Sequence, residues 1–393
     1  LYCFPNRLED ITALEYAVSH GGQYAAYYLG CLLLDRSRWQ EAQALWERCA
    51  KNIVLPTVWR NLALIYYNKL HDAPRARKAM QTAFAMDKTD ARVFFELDQL
   101  DKTTNAPYAE RLVRMQENAA LLPQRDDLYT EYITLLNLDG QYQKAYDYIM
   151  GHTFHPWEGG EGKIPAQYRL ALMGLARAAD DDTALALLQQ ALTYPHNLGE
   201  GKLIGNLDND LYEMIGELYA KRGDAARAEE AFRLAARGNF DLTGAMYYND
   251  QPPQMMYYAA KALAALGETD EAKKRFAAFI DYAEVHRDDV MEIDYFAVSL
   301  PDFLIFEGDL NKNNRVHCCL MEALGALGLG DNERARQAAL RGLAENGCQS
   351  ERCRRTVLFQ GNRTDKRRKN GEYRYCGYFF AYEAYRLYYY GLL

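Results

Sequence analysis

The sequence predicts an all-α fold in which helical hairpins stack one after another. Apolar side chains recur at helical spacing over most of residues 24–343, small residues recur in the second helix of each pair, and glycine-containing turns separate several of the helices. One such hairpin cannot bury its apolar stripe alone, so its neighbours must cover it. The 393 residues are therefore expected to form a repeat array rather than several unrelated domains.

Residues 207–237 show the repeat most clearly. Large residues share one face of a first helix, Gly223 and Asp224 turn the chain, and small residues flank a phenylalanine on a second helix. The residues that carry this pattern are Tyr212, Ile215, Gly216, Tyr219, Ala228, Phe232 and Ala235. The spacing is typical of the tetratricopeptide repeat and predicts a right-handed α-solenoid of about eight tetratricopeptide-like helical hairpins with long loop insertions.

The hairpins are predicted in order along residues 1–346, which we interpret as one helical repeat domain. They cover residues 24–49, 59–83, 91–121, 128–150, 167–192, 207–237, 255–280 and 315–343. Cys49 takes the last small position of the first hairpin. Pro74 lies at the start of the second helix of the second hairpin, where its missing N–H costs little.

Residues 347–393 differ in character from the repeats. The segment 348–370 is dense in Arg and Lys, and 372–393 is dense in Tyr. This tail is predicted to be either a capping helix after a solvated linker or a disordered segment unrelated to the fold. The basic run could alternatively contact an acidic surface or lipid headgroups.

Composition excludes several classes of protein. A net charge of −8 argues against a broad nucleic-acid footprint, and no apolar run is long enough to span a bilayer. The first residues do not resemble a signal peptide, and the absence of an initial Met suggests a piece of a longer polypeptide. The eight irregularly spaced cysteines are expected to be free core thiols, which favours a reducing, cytoplasmic location.

Four irregular loops interrupt the helices: FHPWEGGEGK at 154–163, PHNLGEGK at 195–202, YYNDQPPQMMYY at 247–258 and DYFAVSLPDFLIF at 294–306. Together with FPNRLEDI at 4–11 and NRVHC at 314–318, they resemble one bacterial family. In that family of large proteins, an uncharacterised domain related to mutarotase-like β-sandwiches precedes a tetratricopeptide region. The resemblance covers residues 4–343 and implies a setting in carbohydrate metabolism and a β-sandwich domain as partner.

The loops do not carry a nucleotide or metal motif. Two of them end in Gly-Glu-Gly-Lys, but Trp157 and His196 stand where a phosphate-binding loop needs its first glycine. His155, His196, His317 and Cys318 lack the close spacing of metal ligands, so these histidines are expected to bond loop carbonyls instead. We predict no cofactor and no metal.

Carboxylates and aromatic residues in the loops are the candidate binding groups. Sugar rings stack on aromatic side chains while carboxylates accept their hydroxyl hydrogens. The alternative is that acids such as Glu161 and Glu200 cap the helices that follow them. The candidate groove residues are His155, Trp157, Glu158, Glu161, His196, Glu200, Tyr247, Tyr248, Asp250, Asp302 and His317.

Two functions from different classes fit these observations. The first is an interaction scaffold that docks a β-sandwich domain, with a carbohydrate at a groove formed by the loops. The second is a glycoside-active enzyme, or half of one, in which two loop carboxylates face each other across a pocket. A plain spacer would show no pocket. The catalytic residues, if any, cannot be named from the sequence.

Overall fold

The computed structural model describes residues 4–157, 159–244, 250–292 and 305–345. Within these ranges the secondary structure consists of helices, and there are no strands. The tail at 347–393 lies outside the described residues, as do Glu158, Tyr247, Tyr248 and Asp302. No helix within the described ranges is both long and apolar enough to cross a membrane.

The α-helices follow the predicted order. The first nine are α1 (Glu9–Ser19), α2 (Gln23–Asp35), α3 (Trp39–Asn52), α4 (Pro56–Asn68), α5 (Ala73–Met86), α6 (Ala91–Thr103), α7 (Tyr108–Glu117), α8 (Asp126–Leu138) and α9 (Tyr142–Met150). The others are α10 (Lys163–Ala178), α11 (Asp181–Ala191), α12 (Asn209–Lys221), α13 (Ala225–Ala235), α14 (Pro253–Ala265), α15 (Thr269–His286), α16 (Leu310–Gly328) and α17 (Asn332–Glu345).

Taken in pairs from α2 to α17, the helices give eight hairpins, and α1 precedes them. Direct packing joins α2 to α3, α4 to α5, α10 to α11, α12 to α13, α14 to α15 and α16 to α17. The prediction of an all-α solenoid built from about eight tetratricopeptide-like hairpins is therefore confirmed for the described part of the chain.

By their contacts, the described residues form two units. The first contains residues 4–106, 117–128 and 305–308, and the second contains the rest. Segment 305–308 joins the first unit through Asn68, whose Nδ2 donates to the Ile305 carbonyl at 2.8 Å and whose Oδ1 accepts from the Glu307 N–H at 3.1 Å. Phe306 between them is buried beside the ring of Tyr67.

Within the hairpins, glycine on the first helix lets an aromatic ring of the second helix approach the backbone. A Cβ placed on Gly216 would lie 2.6 Å from Cε1 of Phe232, and one on Gly30 would lie 2.3 Å from Nε1 of Trp46. No side chain larger than hydrogen fits at such distances. The glycine of the first helix and the aromatic residue of the second helix thus pack directly against each other in these hairpins.

The same complementarity joins one hairpin to the next. A Cβ on Gly174 in α10 would meet the ring of Tyr142 in α9 at 2.4 Å, and one on Gly328 in α16 would meet the ring of Phe276 in α15 at 2.1 Å. Close approach of ring and backbone therefore recurs both within and between hairpins of the second unit.

The residues around Phe232 are packed as the sequence predicts. Ala228, Phe232 and Ala235 form a buried cluster with Ala262 of the following hairpin. Asp224 caps α13 by accepting the N–H of Arg227 at 3.1 Å, directly after Gly223 turns the chain with φ of +77°.

Candidate ligand groove

Two glycine-rich loops of the second unit are joined by hydrogen bonds. Asn197 donates through Nδ2 to the carbonyls of Ile149 (2.8 Å) and His152 (2.9 Å), near the end of α9. In return, the N–H of Phe154 donates to the carbonyl of Asn197 at 2.9 Å, and the Phe154 side chain is buried. The loop before α10 and the loop after α11 therefore form one connected layer.

Glycine is required where these loops meet. Gly199 has φ of +74°, and a Cβ there would lie 2.3 Å from the Phe154 carbonyl oxygen. Gly162, with φ of +75°, precedes α10 and donates its N–H to Oε2 of Glu200 at 2.8 Å. The carboxylate of Glu200 is therefore fixed at the N-terminus of α10, where negative charge is favoured.

The described residues 236–244 of a third loop, which follows α13, are attached through His317 of α16. Nε2 of His317 lies 2.9 Å from the Thr243 carbonyl oxygen, so it must carry the proton and donate. His317 is fully buried, with the ring of Tyr282 edge-on to it. Burial lowers the pKa of His317 from 6.5 to about 4, although the Thr243 carbonyl opposes this shift.

We expect the buried His317 to make the stability of the second unit pH-dependent. A lowered pKa means that the neutral side chain stabilises the fold above pH 6.5, and that this contribution is lost as the pH falls towards 4. The shift corresponds to about 3 kcal/mol. Denaturant unfolding of the wild type and of His317→Gln between pH 7 and pH 4.5 measures it, because the variant should lose much less stability on acidification. Exposed His196→Gln is the control, and an equal loss in wild type and His317→Gln would contradict the assignment.

The three loops and the helices α10, α12 and α14 surround a cavity of about 600 Å³ in the second unit. Its carboxylates are Glu200, Asp210, Asp241 and Asp250. Its apolar wall includes Leu170, Met173, Leu203 and Met255, and the ring of Tyr194 supplies a flat surface. This combination of apolar wall and several polar groups is typical of a small-molecule site.

The cations at the cavity are already bonded to carboxylates. Arg169 lies 2.5 Å from Asp210 and 3.5 Å from Asp208; both aspartates are buried, and the Arg169 side chain is 11% exposed. Lys202 donates to Asp208 at 2.5 Å and to the Leu192 carbonyl at 2.7 Å. The positive charges therefore neutralise Asp210 of α12 and Asp208, which directly precedes that helix.

Burial dominates the electrostatics of two lining acids. It raises the pKa of Asp210 above its usual value of 3.8, because burial outweighs the opposing charge of Arg169. It likewise raises the pKa of Glu200, which the Gly162 N–H opposes and the nearby charge of Glu161 reinforces. Both carboxyl groups therefore take up a proton more readily than they would in water.

Amide side chains also line the cavity: Asn206, Asn239, Gln251 and Gln254. Gln254, in the first turn of α14, is 2% exposed, and within the described part of the chain neither its Nε2 nor its Oε1 has a hydrogen-bond partner. Nε2 of Gln251 is also buried without one. Because an unpaired buried amide costs about 1–3 kcal/mol, this part of the wall is suited to a group that both donates and accepts.

The structure brings together some of the candidate residues and not others. Glu200 and Asp250 line the cavity, with Glu161 exposed near Glu200. Glu200 also lies at a helix N-terminus, as the capping alternative requires. The helix is α10, which precedes Glu200 in the chain, and not α12, which follows it.

Trp157 and the histidine candidates lie elsewhere in the second unit. Trp157 packs its indole on the backbone of Gly160, where a Cβ would lie 2.1 Å from Cε2. His155 and His196 are exposed and do not line the cavity, and His317 is buried behind the third loop. Among the described residues, no group of three or more His, Cys, Asp or Glu side chains is arranged to hold a metal ion.

The sequence interpretation missed Arg169, Tyr194, Asp210 and Gln254. Their signal was weak but present. Arg169 and Asp210 are charged residues on first helices whose neighbours are largely apolar, and Gln254 lies directly after a proline pair that starts a helix. A polar residue on a buried helix face requires a partner, and this requirement could have identified the groove.

No family model matches this sequence. Among solved structures, one of Naa15/Naa10 bound to HypK-THB covers 90% of this chain at 13% identity with a TM-score of 0.42, and this chain spans only 52% of that one. A tetratricopeptide repeat protein from Parabacteroides merdae covers 68% of this chain and 83% of its own length at 12% identity, with a TM-score of 0.25.

The match to the C-terminal part of a repeat-containing protein from Cytophaga hutchinsonii covers 83% of this chain and 97% of that one, at 13% identity and with a TM-score of 0.24. At these low TM-scores the fold assignment rests on the helices and contacts of this chain, and none of these similarities identifies a ligand.

Proposed function

We propose that this chain is a helical-repeat interaction module whose second unit binds a ligand in a groove formed by its loops. The observation that carries the proposal is the cavity itself, because loops from three successive hairpins contribute Gly162, Glu200 and Asp250 to its wall. Repeat folds present extended surfaces on which such insertions form binding sites. A spacer would have no need for loops joined to one another in this way.

A carbohydrate suits the chemistry of this wall. Carboxylates and amides exchange hydrogen bonds with hydroxyl groups, while the apolar side chains and Tyr194 offer contact to the faces of a ring. The resemblance of the loops to a family associated with carbohydrate metabolism supports the same choice. The ligand class is therefore proposed as a saccharide.

The protein partner that we propose is a mutarotase-like β-sandwich domain docked at the rim of the groove. Leu203 is 55% exposed and lines the cavity, and the adjacent Ile204 is completely exposed. These two neighbouring aliphatic side chains on a glycine-flanked loop offer an apolar contact that a docked domain would cover. They would place the docked domain next to the saccharide.

Calorimetric titration of the full chain with a separately produced β-sandwich domain tests the docking. We expect micromolar binding that Ile204→Asp weakens by about tenfold or more, because a charge would replace a buried aliphatic contact. Val54→Asp is the matched control, since Val54 is 80% exposed and belongs to the first unit. Absence of heat at high micromolar concentration, or equal weakening by both variants, would contradict the proposal.

A glycoside-active enzyme is the second candidate, and one observation favours it. Glu200 and Asp250 line the same cavity, and burial raises the pKa of Glu200, as a general acid requires. Hydrolysis of aryl glycosides by the full chain, abolished in Glu200→Gln, would establish this function. Saccharide binding without hydrolysis would rule out the enzyme and support the interaction module.

A further inference from the structure

The charges at the cavity disfavour an acidic ligand. Among the described residues, its wall carries four carboxylates and one cation, Arg169, which is held by two buried aspartates. Lys202 beside it is also bonded to Asp208. An anionic ligand would therefore approach a surplus of negative charge and find both cations occupied, and like charges brought together across an interface cost several kcal/mol.

Gln254 adds a requirement of a different kind. Within the described residues its buried amide has no partner for the acceptor Oε1 or for the donor Nε2, and Nε2 of Gln251 is a second such donor nearby along the chain. A hydroxyl group both donates and accepts, so adjacent hydroxyls can satisfy both ends of the amide. An ionised carboxylate or phosphate group can only accept, so it can bond Nε2 but leaves Oε1 without a donor.

Amines are compatible with the same wall. An ammonium group donates only, and it can bond Oε1 of Gln254 or the carboxylate of Glu200, which lines the cavity and accepts the Gly162 N–H through its Oε2. The negative surplus would favour such a cation further. The acceptable ligand groups are thus hydroxyl and amine.

We propose that the cavity selects neutral or amine-bearing hydroxylated ligands over carboxylated or phosphorylated ones, with Gln254 as the residue that determines this specificity. The inference rests on the proposed function and adds the ligand charge and the recognising side chain. Gln254 acts by direct hydrogen bonding to the ligand.

The test is a glycan array that presents neutral, amino, uronic-acid and phosphorylated oligosaccharides to the labelled full chain. We expect the bound oligosaccharides to be neutral or amine-bearing. For the tightest of them, calorimetry should show that the analogue with a carboxylate in place of a hydroxymethyl group binds at least about tenfold more weakly. Tighter binding of acidic oligosaccharides would overturn the inference.

A variant separates recognition from a purely structural role of the amide. Gln254→Leu should weaken binding of the tightest oligosaccharide by about tenfold or more, while its thermal unfolding is unchanged or raised, because an unpaired buried amide is removed. Gln189→Leu, on the exposed side of α11, is the control. Unchanged binding in Gln254→Leu would assign the amide to a structural water and overturn the inference.

The outcomes also distinguish this inference from the proposed function. Binding of saccharides without charge selection, or without dependence on Gln254, would overturn only the inference. An array on which nothing binds would overturn both the inference and the saccharide ligand. Docking of the β-sandwich domain is tested separately by its own titration, and none of these outcomes bears on it.

Discussion

Replacing Arg169 by methionine is expected to destabilise the second unit by about 3–5 kcal/mol, because it leaves Asp210 buried without its charge partner. Arg169 and Asp210 are both largely buried, and Lys202 still pairs with Asp208 in the variant. Urea unfolding at pH 7, followed by circular dichroism, measures the loss. Arg233→Met is the control, since Arg233 forms an exposed pair with Glu229 that should contribute less than about 1 kcal/mol.

Acid should reduce the cost of the Arg169 substitution. The folded-state pKa of Asp210 is raised, so its protonation stabilises the fold at low pH, and this contribution is lost as the pH rises through the raised pKa. Removal of Arg169 should raise the pKa of Asp210 further, because the positive charge that lowers it is gone. The difference between variant and wild type should therefore narrow from pH 7 towards pH 4. A constant difference would mean that the loss comes from packing and not from a buried charge.

Phe232→Ala is expected to cost about 3–5 kcal/mol, since the ring fills the space between hairpins. Phe232 is 7% exposed and forms a cluster with Ala228, Ala235 and Ala262. Phe4→Ala, at a side chain that is 58% exposed, should cost less than about 1 kcal/mol. Denaturant unfolding of both variants measures the difference, and a near-zero effect at Phe232 would mean that the repeat register is wrong.

The contact between Gly216 and Phe232 allows a sharper form of this test. Gly216→Ala alone should destabilise by about 1–3 kcal/mol, because its Cβ would lie 2.6 Å from the ring. In the double variant with Phe232→Ala, that clash is gone, so the two costs should not add. Additive costs would show that Gly216 acts through its backbone and not through the ring.

The architecture could be predicted from the sequence because it depends on local periodicity. Gly216 and Phe232 stand sixteen positions apart, as do Gly30 and Trp46, and one hairpin is enough to bring each pair together. The same regularity shows the positions of the loops as interruptions. No knowledge of distant contacts is required for either inference.

The groove could be predicted only in part because it depends on contacts between distant segments. Arg169 and Asp210 belong to different hairpins, and their pairing follows from how those hairpins stack. Trp157 looked like a sugar-stacking residue, but the missing side chain of Gly160 lets the indole fold back onto its own loop. Glu200 and Asp250 were found as loop acids, yet their shared cavity could not be inferred from spacing.

Hydrogen–deuterium exchange of the full chain, with and without the β-sandwich domain, tests most directly whether the loop groove is the binding surface. We predict that amides of residues 199–207 and 250–255 become protected together when the domain binds, because they line or border the same cavity. Protection confined to other segments, such as α1 or α17, with these loops unchanged, would contradict the account.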